Sequence, residues 1–540
     1  MSFLSAIKKT NRYNNSGGVY PSALNITHTL IAIIFSINKK APSPKIANKL
    51  MLMFFYLWFT DQLKNIRRIS DIPNVMKVSG TKAASPHTLR IFRSSSMSWA
   101  EYSLTYQHDD AAYLWQPIPD YINHFFTRQL QDKMSYETAL LNSKEKALLF
   151  TILQKPWLAP APIKKRTKSR KPQFYRYFSA FIALDPQVFV IAKYIFIGES
   201  ALHHKNAHRY QMANSDHIRY SIFMSQSRAL KRLSKILNDQ AYILYFDEHG
   251  EKQPLFQQQD FGFISKENHQ PIIKSLIKEM HGNRWQHKEL APITIGSKRS
   301  LPINDIRLFF KSIGSDIDNM AQQPNITTKQ LKALYTLLTY QVAAEFLILT
   351  GCRPTHSISV ELNRCFNLSS VLISDKGKFR TLFICEHLRE RITHYQTIQH
   401  ILLNKLGITT TPSALWFIID ENNQATALNA KLMNQFIQQY WSNNAITPKS
   451  EIVSYRFRHT FAQTAHNHQE PQLTSQQIDK LMGHSNLGEH YGNDQLLPVH
   501  KQTLLRFLHQ LPEIFGLTNY RQSYSLFECM LKGVKTNDTL

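Results

Sequence analysis

Residues 341–353 read QVAAEFLILTGCR. From Gln341 to Leu349 the run is apolar but for Glu345, which predicts a buried helix, and Gly351 is a strong C-terminal stop. Arg353 falls two residues past that stop, where the fold can hold it and still let it point outward. Upstream, Leu331, Leu334, Leu337 and Leu338 recur at helical spacing. Downstream the period changes. Val371–Ser374 and Thr381–Cys385 read as strands joined by the turn Asp375-Lys376-Gly377-Lys378, a hairpin. Helices resume after 386. Taken singly, Arg353 reads equally as a surface arginine capping helix carbonyls, and Lys376 as a solvated turn residue.

The chain has 540 residues, enough for two to four domains. Hydrophobic residues make up 43% and aromatic ones 11%, which excludes a wholly disordered or collagen-like chain. Lys and Arg number 64 against 38 Asp and Glu, a formal net charge of +26. That excess fits a polyanionic partner, most often nucleic acid. Cys352, Cys365, Cys385 and Cys529 form no CxxC pair, which argues against a disulfide framework or a structural zinc site. The N-terminus carries no signal-peptide pattern, and the longest apolar run, Leu50–Phe59, is about half of what a bilayer needs. With Thr29–Ile37 it predicts a packed helical hairpin. The expected setting is cytoplasmic and nucleoid-associated, with no membrane partner.

The charge is uneven. Residues 1–290 hold 40 basic and 20 acidic side chains, and the remainder 24 and 18. Three breaks divide the chain: the Asn/Ser/Gly-rich start, Pro156–Lys171 (PWLAPAPIKKRTKSRK) and Ala291–Pro302 (APITIGSKRSLP). The expected units are an N-terminal helical region over 1–155, a basic linker over 156–171, two units over 172–290 and 300–500, and a tail over 501–540. In that tail Leu504, Leu505, Phe507 and Leu508 suit a helix docked on a neighbouring protomer or on its own domain. Lys164, Lys165, Arg166, Lys168, Arg170 and Lys171 are the candidate DNA-backbone contacts, on an extended strap. Arg228–Leu237 and Ile272–Met280 read as helices, and Phe174, Tyr175, Tyr177 and Phe178 as the start of a core helix. His203, His204 and His208 read as a surface cluster rather than a metal site.

Two further motifs carry chemistry. YRFRHTFA (Tyr455–Ala462) on a helix would bring Tyr455, Arg458 and His459 within one turn of each other, and an arginine grips phosphate through two N–H donors. LMGHSNLGEHYG (Leu481–Gly492) places His484 after a glycine and Tyr491 seven residues further on. With TGCR and DKGKFR these make four motifs in order, and Lys376 follows Arg353 by 23 residues inside a hairpin. The region 300–500 thereby resembles the catalytic domain of the tyrosine recombinases, or phage-type integrases.

The resemblance implies a fold that is mainly α with a small β-sheet, multidomain, its catalytic domain preceded by helical DNA-binding domains. It makes the unit over 172–290 a helical DNA-clamp domain and the unit over 300–500 the catalytic domain. It implies a site-specific recombinase or integrase of a mobile element. Arg353 and Arg458 would bind the scissile phosphate, Tyr491 would attack phosphorus to leave a 3′-phosphotyrosyl link, Lys376 would protonate the leaving oxygen, and His484 would hydrogen-bond the phosphate. Tyr520 and Tyr524 stand as alternative nucleophiles. No metal or other cofactor is implied, and the chain has no Walker loop. The partners implied are double-stranded DNA and three further copies in a tetramer, or other recombinase subunits. Two departures stand out. Tyr455 occupies the place of the family's histidine three residues before the second arginine. His356 replaces the usual acid three residues after the first. Two rival readings follow: a type IB topoisomerase-like enzyme, and a DNA-binding subunit that has lost cleavage.

Overall fold

The computed structural model describes residues 22–517 except 81, 94–96, 108–111, 133–135, 155, 199–206, 237–242, 248, 264–272, 274–275, 283, 290, 324–326, 359, 366–369, 376–377 and 484–497. The chain is mainly helical with small sheets and forms two units. One takes 1–202 and 213–295; the other takes 203–212 and 296–540.

In the first unit, α1 (Ala23–Lys40) and α2 (Pro44–Phe59) form the expected helical hairpin. Pro44 opens α2, and the Ser43 hydroxyl accepts from the Ile46 N–H at 3.4 Å. The region before 155 is not helical throughout. β1 (Met76–Lys77), β2 (Thr88–Arg93), β3 (Ser98–Gln107) and β4 (Ala112–Pro117) form one sheet in that order, parallel between β1 and β2 and antiparallel beyond. The aromatic- and Thr-rich runs LRIFR and WAEYSLTY carried that signal. Helices α3 (Asp120–Asp132), α4 (Ser143–Leu153), α5 (Tyr177–Leu184), α6 (Val190–Ile197) and α7 (Ser215–Ser234) complete it.

The core crosses the basic segment rather than stopping there. Trp58 of α2 stacks on Phe174 with centroids 4.6 Å apart and donates its indole N–H to the Phe174 carbonyl at 2.8 Å. One apolar cluster runs from Ala23 to Phe256. The expected helix over 272–280 is also overturned. β5 (Leu276–His281) pairs antiparallel with β6 (Arg284–Glu289), with His281 opposite Arg284 and Gly282 at φ +59° directly after β5.

In the second unit, α8 (Ile303–Ala321) packs on α9 (Thr328–Thr350), which joins the stripe from Leu331 and the run from Gln341 in one helix. A reciprocal cap between Thr327 and Gln330 starts α9. This helix is long and apolar enough to cross a membrane, yet nearly all of that stretch is covered by its own unit. Its one buried carboxylate, Glu345, is bridged by Arg391 at 2.8 and 3.0 Å.

The hairpin of β7 (Ser370–Asp375) and β8 (Lys378–Phe383) follows, with Asp375 opposite Lys378. Then come α10 (Glu386–Leu406), the short pair β9 (Phe417–Ile419) and β10 (Ala425–Ala427), α11 (Ala430–Tyr440), α12 (Tyr455–Asn467), α13 (Ser475–Met482) and α14 (Pro498–Phe515). Leu504, Phe507, Leu508, Leu511 and Phe515 of α14 are buried in the core of this same unit. The tail helix packs this apolar face on its own unit.

Candidate active site around Arg353 and Arg458

Three loop-to-helix junctions and one hairpin meet in the second unit. The first junction is the end of α9. Gly351 has φ +60°, and a Cβ there would lie 2.3 Å from Cδ1 of Phe461 on α12. Only glycine allows both the left-handed turn and that approach. The turn delivers Arg353 to the N-terminal edge of the short helix Pro354–Ser357. Arg353 is 8% exposed, and its Nη1 donates to both carboxylate oxygens of Asp375, at 2.6 and 2.5 Å.

Asp375 ends β7 and so belongs to the hairpin. It also accepts from Arg380 Nε at 3.3 Å. Burial would raise its pKa, but Arg353 first, then Arg380 and Arg458, hold the carboxyl below its ordinary value of 3.8. Arg353 is thus braced by an acid from the hairpin. A depressed carboxyl contributes stability that is complete above its unfolded value. That stability is lost as pH falls through the lower folded value. Asp375→Asn should therefore destabilise the second unit at neutral pH by about 3 kcal/mol, since it leaves buried guanidinium charge uncompensated. The deficit should shrink as pH falls below the ordinary 3.8 toward the lower folded value. Urea midpoints across that range test this; a deficit that does not change with pH would contradict it.

The second junction is the start of α12. Arg458 is fully buried; Nη1 donates to the Gly351 carbonyl and Nη2 to the Met482 carbonyl, each at 2.5 Å. One guanidinium thus ties the turn before Arg353 to the end of α13. Arg380 grips the adjoining carbonyl, Leu481, at 3.0 Å through Nη1. Burial and the nearby Arg458 charge push Arg380 down to about 10. α13 stops at Gly483, with φ +65°, where a Cβ would meet the Arg380 guanidinium.

One helical turn before Arg458, the Tyr455 hydroxyl lies 2.8 Å from that of Tyr210, in the short segment 203–212. Tyr210 stacks on His459 with centroids 4.7 Å apart, and the Arg458 guanidinium lies 5.2 Å from its ring centre. The segment is sewn onto α12: Met212 N–H donates to Gln463 Oε1 at 2.7 Å, and Gln463 returns a bond to the Met212 carbonyl at 2.6 Å. His459 is pushed down to about 4 by burial and by Arg299, Arg458 and Arg456, so it is neutral at pH 7. Its Nδ1 lies 3.3 Å from the Ser297 hydroxyl.

Of the residues singled out from sequence, Arg353, Tyr455 and Arg458 come together. Lys376, His484, Tyr491, Tyr520 and Tyr524 lie outside the described residues, as do His203 and His204. Lys376 directly follows Asp375, and His484 directly follows Gly483. Among the described residues no group of His, Cys, Asp and Glu could hold a metal ion. The basic segment is in the first unit. Lys164, Lys165, Arg166 and Arg170 are exposed, but the segment is not a free extended strap. Lys168 Nζ folds back onto the carbonyls of Ile163, Lys164 and Arg166, Lys171 donates to Gln154 at 2.8 Å, and Ser169 N–H donates to Thr29 on α1 at 2.8 Å.

Sequence reading missed three members of the site. Asp375 and Arg380 flank the lysine within DKGKFR, where the lysine drew the attention. Tyr210 has no local signature; 245 residues separate it from Tyr455.

Comparisons with protein-family models and with curated proteins find no match. Among solved structures, a crystal structure of the XerH site-specific recombinase bound to its difH substrate, a pre-cleavage complex, is similar with a TM-score of 0.24 and 11% sequence identity, over 89% of this chain and 97% of that one. A similarity of that size leaves the reading of the site to the chain's own residues.

Proposed function

We propose that the protein is a site-specific DNA recombinase that cuts and rejoins strands through a 3′-phosphotyrosyl intermediate. One observation carries the reading. Arg353 and Arg458, 105 residues apart in sequence, are locked into one site with the hairpin that bears Lys376 and the helix end that leads to His484. Two fixed guanidiniums suit the two non-bridging oxygens of a phosphodiester and the charge that builds on them in an in-line displacement.

In this reading Tyr491 attacks phosphorus, with Tyr520 and Tyr524 as the alternatives. Lys376 gives its proton to the departing 5′-oxygen, and His484 hydrogen-bonds the phosphate, with Tyr455 beside it. The exposed basic side chains at 164, 165, 166 and 170 add sequence-independent backbone contact. The working assembly would be four protomers on two DNA sites.

The test is covalent trapping without metal and with chelator, on nicked duplexes carrying the end sequences of the protein's own element. A denaturing gel should show a protein–DNA adduct, and peptide mapping should place it at Tyr491. An adduct at Tyr520 or Tyr524 keeps the chemistry and moves the nucleophile. A second reading, a DNA-binding subunit without cleavage, is favoured by the commitment of Arg353 and Arg458 donors to protein oxygens. Specific binding with no adduct would select it.

A further inference from the structure

The family's histidine is a tyrosine here, and a lone phenol is a poor base near neutral pH. The geometry supplies that phenol with a partner. Tyr455 does not stand alone: its hydroxyl is 2.8 Å from that of Tyr210, brought in by a different stretch of chain. The segment bearing Tyr210 is fixed rather than loosely laid. It makes the reciprocal Met212–Gln463 bonds, Gln211 bonds to His466, and the Ser297 N–H donates to the Gln211 carbonyl at 2.7 Å. Tyr210 itself is 9% exposed and belongs to the core cluster of the second unit.

The charges around the pair are one-sided. From α12 the groups facing Tyr210 are Tyr455, Arg458 and His459; from the turn after α9 comes Arg353. Arg299 and Arg456 stand near His459. A guanidinium can only donate, so the Tyr210 oxygen accepts from Arg458, with which it is hydrogen-bonded. Two arginines beside it stabilise the negative form of Tyr210, to which Tyr455 then donates.

We propose that Tyr210 is the proton acceptor behind Tyr455, so that two phenols in series do the work of the missing imidazole. This rests on the reading of the site as a strand-transfer centre. The step balances as follows. The attacking hydroxyl bonds to phosphorus and passes its proton to the Tyr455 oxygen. The proton that Tyr455 held moves along the hydrogen bond to Tyr210, turning a phenolate into a phenol. The bond from phosphorus to the 5′-oxygen breaks, and that oxygen takes a proton from Lys376. Rejoining runs the same path backwards. Tyr210 acts through Tyr455, so it is a positioning residue and never touches DNA.

The directions agree. Burial would raise the Tyr210 phenol, but Arg458, the hydrogen bond with Tyr455 and Arg353 outweigh it and hold it below the ordinary 10.0. Tyr455 is raised, by burial first and then by its bond to Tyr210.

The test needs no DNA. The full chain is labelled with 13C at the tyrosine Cζ carbons and titrated by NMR. One resonance should titrate below pH 10 and vanish in Tyr210→Phe, which keeps the ring stacked on His459. In Tyr455→Phe the same resonance should titrate at higher pH, because its donor is gone. If Tyr210→Phe does not fold, 3-fluorotyrosine placed at position 210 gives the same comparison by 19F NMR, with and without Tyr455→Phe. A Tyr210 that stays protonated beyond pH 10, or that ignores the loss of Tyr455, overturns the relay. On the nicked duplex, Tyr210→Phe should lower the adduct rate and move its acid-side fall to higher pH while leaving DNA binding unchanged. Failure of the NMR arm removes the relay and leaves strand transfer standing. Absence of any adduct removes strand transfer and leaves the titration result in place.

Discussion

Arg458→Ala is expected to slow formation of the covalent DNA adduct by about 10³-fold, the upper end of what removal of one fixed donor to a transition-state oxyanion costs. The side chain is fully buried, so the loss is double. A charge leaves the phosphate site, and the Gly351 and Met482 carbonyls lose the group that joins them. Arg458→Lys separates the two effects. It keeps the charge but cannot span both carbonyls, because an ammonium lacks the planar fork. Adduct formation should fall by about 10²-fold, with DNA binding close to wild type. Rates measured with saturating nicked duplex, beside binding isotherms, decide the matter. Full activity in Arg458→Lys would mean that the fork is not what positions the phosphate.

Gly351→Val should cost about 2–5 kcal/mol of stability in the second unit. The left-handed conformation accounts for about 1–2 kcal/mol in any residue with a Cβ. Forcing atoms into the face of Phe461 adds about 1–3 kcal/mol. Gly407→Ala provides the control. Its φ is also positive, at +65°, but a Cβ there meets nothing within 4 Å. Only the conformational cost, about 1–2 kcal/mol, should appear. Urea unfolding of both variants gives the difference directly. Equal losses at the two glycines would show that Phe461 yields and that α9 and α12 are not held at a fixed separation there.

What the sequence made legible was local. The helix stopping at Gly351, the hairpin around Lys376 and the helix carrying Tyr455, Arg458 and His459 each have a periodicity or a stop signal within a dozen residues. The β5–β6 hairpin was lost because Ile272, Ile273, Leu276 and Ile277 mimic a helical stripe, while the deciding turn is two residues long. The sheet of β1–β4 was missed under two strongly apolar helices that dominated the reading of that region. In the site, Asp375 could have been weighed as the substitute for the acid that His356 replaces; the motif names it. Tyr210 could not, because its place is set by long-range packing. Nothing in the residues around 210 records that the chain enters the second unit there for ten residues and leaves again.

The two helix ends at the centre of the site have an electrostatic meaning. α9 and α13 both arrive carboxyl end first, and the Gly351 carbonyl just beyond α9 and the Leu481 and Met482 carbonyls of α13 accept from the arginines. Each such end carries about half a negative charge from its aligned peptide dipoles. Anions are normally received at the opposite ends of helices. Without its guanidiniums this pocket would therefore be a cathodic one that drives phosphate away. Arg458 cancels the potential of both ends and Arg380 reinforces the cancellation at α13, so part of their charge is consumed before any DNA arrives. Neutralising either residue should abolish the net positive charge of the site rather than merely weaken it, and the burden of attraction would pass to Arg353.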